Sequence, residues 1–146
     1  MKILVDADAC PVKEIIVKIA KEYSIKVIML CDTSHILYDG YSEIITVDKS
    51  CDSVDFALVN KAEKSDIVVT QDYGVATMCL SKGVTVLNQN GLIYNESNID
   101  RLLFERHLSQ KIRRSGGRCG SIRKRTKEDD VKFEKAFRGC LRHPQC

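Results

Sequence analysis

Five short apolar runs rich in β-branched residues recur along the first two thirds of the chain, and their spacing sets the fold class. They occupy residues 3–5 (ILV), 26–31 (KVIMLC), Glu43–Val47 (EIITV), 67–70 (IVVT) and 84–87 (VTVL). Runs this short, without polar alternation, suit strands covered on both faces, as in a parallel sheet. Stretches with helical spacing lie between most of them: residues 12–23, with Ile15, Ile16, Ile19 and Ala20; residues 51–64, with Val54, Leu58 and Ala62; and Tyr73–Ser81. Pro11 stands where a first helical residue is wanted. This rhythm predicts a single α/β domain, three layers deep, with a mainly parallel central sheet over residues 1–94. Residues 95–146 read as a helical, basic C-terminal extension. It comprises a long helix over 95–114 and a last helix through Val131, Phe133, Phe137 and Leu141. Thr126 and Asp129 resemble a capping box at the start of that last helix.

Charge divides along the same line. Residues 1–100 hold nine Lys/Arg against fifteen Asp/Glu, a net −6; residues 101–146 hold fourteen against five, a net +9. An acidic sheet followed by a basic segment suits a partner that is anionic and metal-coordinated, and nucleic acid is such a partner. The plainer alternative is a pair of solvated basic helices packed on an acidic half. No apolar run approaches the ~20 residues that span a bilayer. The N-terminus leads straight into a strand without a signal-peptide layout, so the expected location is cytoplasmic. Seven cysteines, an odd number with no CxxC pair, read as reduced and mostly buried thiols rather than as zinc ligands.

The chemistry concentrates in the aspartates that end these runs. Asp6 and Asp8 follow the first, Asp52 and Asp55 open the helix after the third, and Asp72 follows the fourth. On an extended backbone residues i and i+2 point the same way, so Asp6 and Asp8 are expected to project together. Ligands of open α/β sheets sit outside the carboxyl ends of the strands, where all these acids fall. Several carboxylates at one rim repel one another unless a divalent cation neutralises them, and oxygen ligands favour Mg²⁺ or Mn²⁺. Taken singly, most have a structural explanation: Asp72 and Asp52 as helix N-caps, Asp8 in the turn before Pro11. Asp6 is the hardest to explain that way, because an acid ending a buried strand gains nothing from apolar packing. Asp66, at the opposite end of its strand, reads as a turn residue, and Asp32 and Asp48 are second choices. Arg113, Arg114, Arg118, Arg123, Lys124 and Arg125 are candidates for phosphate contact. Thr70 and Gln71 are candidate hydrogen-bonding neighbours of Asp72, and Tyr73 a candidate base-stacking ring.

The segments VDADACPVK at 5–13, DSVDFALVNKAEKSDIVVTQDYGVA at 52–76, NQNGLIYNESNID at 88–100 and RRSGG at 113–117 resemble the bacterial YaiI/YqxD family over nearly the whole chain. That family is similar in fold to PIN-domain proteins, which gather acids at one sheet edge to bind Mg²⁺ or Mn²⁺ and cut RNA. The resemblance implies that Asp6 corresponds to the first-strand acid, Asp55 to the acid of the D-x-x-I-x-x-x-A pattern and Asp72 to that of the T-x-D pattern. The glutamate that PIN proteins carry on an intervening helix has no counterpart, and Asp8 or Asp52 stand in for it. Gly120-Ser121-Ile122 replaces the family's usual Gly-Gly-Pro turn.

The leading expectation is therefore a metal-dependent nuclease, acting on RNA. Asp6, Asp8, Asp55 and Asp72, with Asp52 secondary, would be the catalytic and metal-binding acids. The rivals are a nucleic-acid- or protein-binding module that keeps the fold without the chemistry, and a phosphatase using Asp6 or Asp8 as nucleophile.

Overall fold

A computed structural model describes residues 1–8, 10–32, 38–48, 53–117 and 124–142. Five parallel strands, β1 (Lys2–Asp6), β2 (Lys26–Asp32), β3 (Glu43–Val47), β4 (Ile67–Val69) and β5 (Thr85–Leu87), form one sheet in the order β3-β2-β1-β4-β5. Among the described residues five helices cover it: α1 (Lys13–Tyr23), α2 (Ser53–Lys61), α3 (Tyr73–Ser81), α4 (Glu96–Arg114) and α5 (Lys127–Arg142). The three-layer parallel α/β architecture is the one expected from the run spacing.

The two cores follow from strand alternation. Ile3 and Val5 point to one face, where they meet Ile16 and Ile19 of α1 and Phe133 and Phe137 of α5. Leu4 points to the other, against Leu58 of α2, Val75 and Ala76 of α3 and Ile99 of α4. The central strands are buried on both sides, which is why their runs lack polar positions.

Several expectations are corrected here. Pro11 lies in a turn, and α1 begins at Lys13 after Val12, which provides no side-chain cap. Asp8 is not on the strand: β1 ends at Asp6, and the Asp8 carboxylate Oδ2 accepts the Asp32 backbone N–H at 3.2 Å in the turn beyond it. Helix α2 ends at Lys61, short of residue 64. The C-terminal helix is part of the core rather than an appendage. Phe133 and Phe137 stack at 5.3 Å between centroids with no exposed surface. Truncating a buried Phe to Ala costs about 3–5 kcal/mol, so α5 is a structural element of the domain. Ion pairing of Arg138 with Glu22 at 2.7 Å fastens it to α1, whereas Val131 points outward. At the start of α5, Asp129 Oδ2 accepts the Thr126 N–H at 2.9 Å, which is half of the expected capping box.

The turn carrying residues 88–91 is held tightly against α5. Gly91 has φ +84°, and a Cβ there would stand 2.7 Å from the Lys132 carbonyl oxygen. Glycine is required both by the left-handed backbone and by the close approach. Among the described residues, Cys10, Cys31, Cys79 and Cys140 are buried. Among the described residues no helix is long and apolar enough to cross a membrane.

Candidate active site

The strand order reverses direction between β1 and β4: from β1 the chain builds outward through β2 and β3, then returns to add β4 and β5 on the other side. A crevice forms at such a switch point, outside the carboxyl ends of the two strands. Asp6 ends β1 and Asp72 lies just beyond β4. The register pairs Leu4 with Val68 and Val5 with Val69, so Asp6 lies level with Thr70. The Thr70 hydroxyl donates to Asp6 Oδ2 at 3.1 Å, and the Asp72 backbone N–H donates to the same hydroxyl oxygen at 3.1 Å. One threonine therefore ties the two acids into a single surrounding.

Asp72 has a structural duty as well. Its Oδ1 accepts the N–H groups of Gly74 at 2.8 Å and Val75 at 3.2 Å, capping α3 as the sequence reading allowed. Both cap bonds fall on one oxygen, and Oδ2 receives no bond from the described residues. Asp55, in the first turn of α2, is half-buried on the same side of the sheet. Burial pushes the Asp6 carboxyl up from the ordinary 3.8 to about 6. The Thr70 hydrogen bond opposes this rise, and the nearby charges of Asp55, Asp8 and Asp72 add to it. The four acids thus share one electrostatic neighbourhood. Asp52 lies outside the described residues.

Of the four, Asp6, Asp8 and Asp72 open onto a cleft of about 640 Å³, and Asp55 is not among its lining residues. Asp6, Asp8 and Asp72 line one wall with Tyr73; α4 supplies the other through Glu105, Arg106, Ser109, Gln110 and Arg113. The Arg106 guanidinium lies 5.8 Å from the Tyr73 ring centroid, and Tyr73 meets the buried Tyr94 edge-on at 6.0 Å. A second hollow of about 20 Å³, room for roughly one water, lies among Asp6, Asp8, Cys10, Thr70 and Gln89. The Cys10 thiol is pushed above its usual range by burial, in keeping with an inert buried cysteine.

The basic candidates separate. Arg113 lines the cleft. Arg114 is exposed at the end of α4, and Lys124 is exposed as well. Arg125 is committed inside the protein: its guanidinium donates to Asp130, the Asn90 side chain and the Gln89 carbonyl, each at 2.8 Å. Arg118 and Arg123 lie outside the described residues. Sequence reasoning missed Arg106, Ser109 and Gln110. Their spacing with Arg113 places them along one side of α4, and a helical projection of residues 95–114 would have found them.

The donor chemistry at this rim suits a hard divalent cation, because the acids offer oxygen alone and burial, with the neighbouring acids adding to it, lifts the Asp6 proton affinity. Among the described residues, no three His, Cys, Asp or Glu already stand close enough to hold an ion. Binding one would require the carboxylates to turn inward together.

The family model described as Uncharacterized BCR, YaiI/YqxD family matches residues 4–143. A UPF0178 protein of Ruminiclostridium cellulolyticum is 71% identical over 137 residues, covering 94% of this chain and 90% of that protein. One from Alkaliphilus oremlandii is 57% identical over 135 residues, covering 92% and 87%. Among solved structures, the crystal structure of Rae1 (YacP) from Bacillus subtilis (W164L mutant) is 19% identical with a TM-score of 0.43, covering 97% of this chain and 98% of that one. On a match that spans nearly its whole length, the chain belongs to the YaiI/YqxD family.

Proposed function

We propose that this chain is a Mg²⁺- or Mn²⁺-dependent nuclease that cuts RNA. The observation that carries the reading is the meeting of Asp6, Asp8 and Asp72 with Arg106 and Arg113 across one cleft at the switch point of the sheet. The PIN-like reading of Asp6, Asp55 and Asp72 shares Asp6 and Asp72 with this set, and Asp55 lies near enough to add its charge at Asp6. A divalent cation gripped by these carboxylates would supply stabilisation for charge developing on an attacked phosphate. The chain's own groups do the rest. Arg106 and Arg113 bind backbone phosphates and hold the strand against the acids. Thr70 fixes the Asp6 carboxylate by its hydrogen bond. The α3 cap holds Asp72 by Oδ1, which keeps Oδ2 for the ligand. Tyr73 offers a ring to an unpaired base.

Single-turnover cleavage of labelled RNA with Mn²⁺ tests this, comparing the wild type with Asp6→Asn and Asp72→Asn. Asparagine remains a good N-cap, so the second substitution keeps α3 intact. Loss of one electrostatic stabiliser typically lowers the rate by about 10²–10³-fold, and a drop of that size is expected in both variants. Equal residual rates in all three proteins would reject the assignment.

A second reading, a binding module without chemistry, draws on the open spacing of the acids and the structural duty of Asp72. Calorimetry with Mn²⁺ separates the two, since only the nuclease requires metal uptake that disappears in Asp6→Asn.

A further inference from the structure

Helix α4 has two working faces. One side carries Arg106, Ser109 and Arg113 and walls the cleft. A separate side carries Phe104, Leu108 and Ile112, four residues apart and therefore in line along the helix. They are 61%, 42% and 44% exposed. A surface helix normally turns its apolar stripe to the core and its polar face to water. Here the buried anchor is Ile99 near the N-terminus, while the stripe in the C-terminal half faces away from the sheet. A contiguous exposed apolar stripe of this kind marks an interaction surface.

The charges of α4 say what covers it. Apart from the residues that line the cleft, the first half of α4 holds two acids (Glu96 and Asp100) and one cation, Arg101, and its second half holds two cations (Lys111 and Arg114) and no acid. A second α4 laid antiparallel sets the acidic half of each copy against the basic half of the other, whereas a parallel arrangement would set like against like. With a two-fold axis through Leu108, Phe104 of each copy meets Ile112 of the other, since both lie four residues from the axis. The surface is thus self-complementary, as a two-fold contact between identical chains requires.

We propose that the chain self-associates through antiparallel pairing of the outer faces of α4 in two copies. The stripe is short, with Phe104 and Ile112 only about 12 Å apart along the helix axis. It falls below the ~800 Å² per partner of a standard stable interface, so the dimer is weak and concentration-dependent. Pairing also braces the α4 segment that walls the cleft while leaving Arg106 and Arg113 facing the acids.

Sedimentation velocity on the full chain over a wide concentration range tests the proposal. Leu108→Glu is the central variant and Asp100→Lys the charge variant, with circular-dichroism melting of each as a fold control. The wild type is expected to move from monomer to dimer with concentration. Leu108→Glu should weaken association roughly thirtyfold or more, the scale of a central hot-spot residue. Asp100→Lys should weaken it less, and added salt should weaken it in the wild type by screening the complementary ends. A wild type that stays monomeric throughout, association unchanged in Leu108→Glu, or association strengthened by salt would each overturn the proposal. Because it invokes no acid of the cleft, its failure leaves the nuclease reading untouched.

Discussion

The two ends of the β1–β4 strand pair use the same residue type in opposite ways. At the amino end, Asp66 is 2% exposed and fully employed: it accepts the Lys2 backbone N–H at 3.0 Å, the Lys2 ammonium at 2.6 Å and the Glu63 N–H at 2.9 Å. Its negative charge is matched, and its partner Lys2 is held above the usual lysine range mainly by that bond. At the carboxyl end, Asp6 receives one bond from the described residues, from the neutral Thr70 hydroxyl, and lies near the charges of Asp55, Asp8 and Asp72. One carboxylate is neutralised and ties the fold together. The other is crowded by its own kind and held at an energetic cost. Costs of the second sort gather at functional sites, where groups are placed for a ligand rather than for the fold.

The largest expected effect breaks the satisfied end. Asp66→Ala leaves the Lys2 ammonium without its buried counter-charge and strands two backbone donors. Removing one partner of such a pair costs about 3–5 kcal/mol, read as a lowered urea midpoint at unchanged slope. If the loss were a few tenths, the two ends would not differ in the way described.

The next effect has the opposite sign. Asp6 has a folded pKa of about 6, above its ordinary 3.8, so the folded state binds the proton more tightly than the unfolded chain does. Its ionisation therefore subtracts from stability: the penalty is absent below about pH 4, grows through the interval up to about 6, and is complete above it. At 1.36 kcal/mol per unit this reaches up to about 3 kcal/mol. Asp6→Asn should be more stable than the wild type at pH 8 and nearly equal to it at pH 4, by thermal or urea unfolding at both values. A destabilised variant at pH 8 would show that the Asp6 charge is already compensated.

Thr70→Val sharpens the contrast on a smaller scale. It removes the hydroxyl that favours ionised Asp6 and that accepts from the Asp72 N–H. The Asp6 titration should move higher still, by NMR, with about 1–2 kcal/mol lost at pH 7. The smallest effect is a control away from both edges. Asn95 caps α4 through a reciprocal pair with Asn98 at 2.8 and 2.9 Å. Asn95→Ala should cost about 1 kcal/mol with no dependence on pH between 4 and 8.

Much of the fold was legible because it is written in local periods. Glu43–Val47 and Tyr73–Ser81 have the bounds that the sequence predicts, and β1, β2, β4 and β5 differ by a residue or so. Apolar runs bounded by turn residues specify strands without reference to the rest of the chain. What escaped was set by distant partners. Nothing near Asp66 in sequence indicates that it meets Lys2, 64 residues away. Arg125 sits in a basic cluster that looks suited to phosphate, yet its guanidinium is drawn to Gln89 and Asn90 by the packing of that turn against α5. Val131 carries an apolar side chain at a position that α5 turns outward, because Phe133 and Phe137 fix the rotation of the helix. The meeting of Asp6 with Asp72 was predictable because parallel strands bring their carboxyl ends together. The facing wall was harder to see, since it depends on how α4 rotates over α3.

The carboxyl-end cluster is tested most directly by following the Asp6 side-chain carboxyl by carbon NMR through a pH titration, with and without Mg²⁺. A midpoint near 6 is expected without the ion, with a marked fall when Mg²⁺ is present, as the cation favours the ionised carboxylate. A midpoint close to 3.8 that Mg²⁺ leaves in place would contradict it.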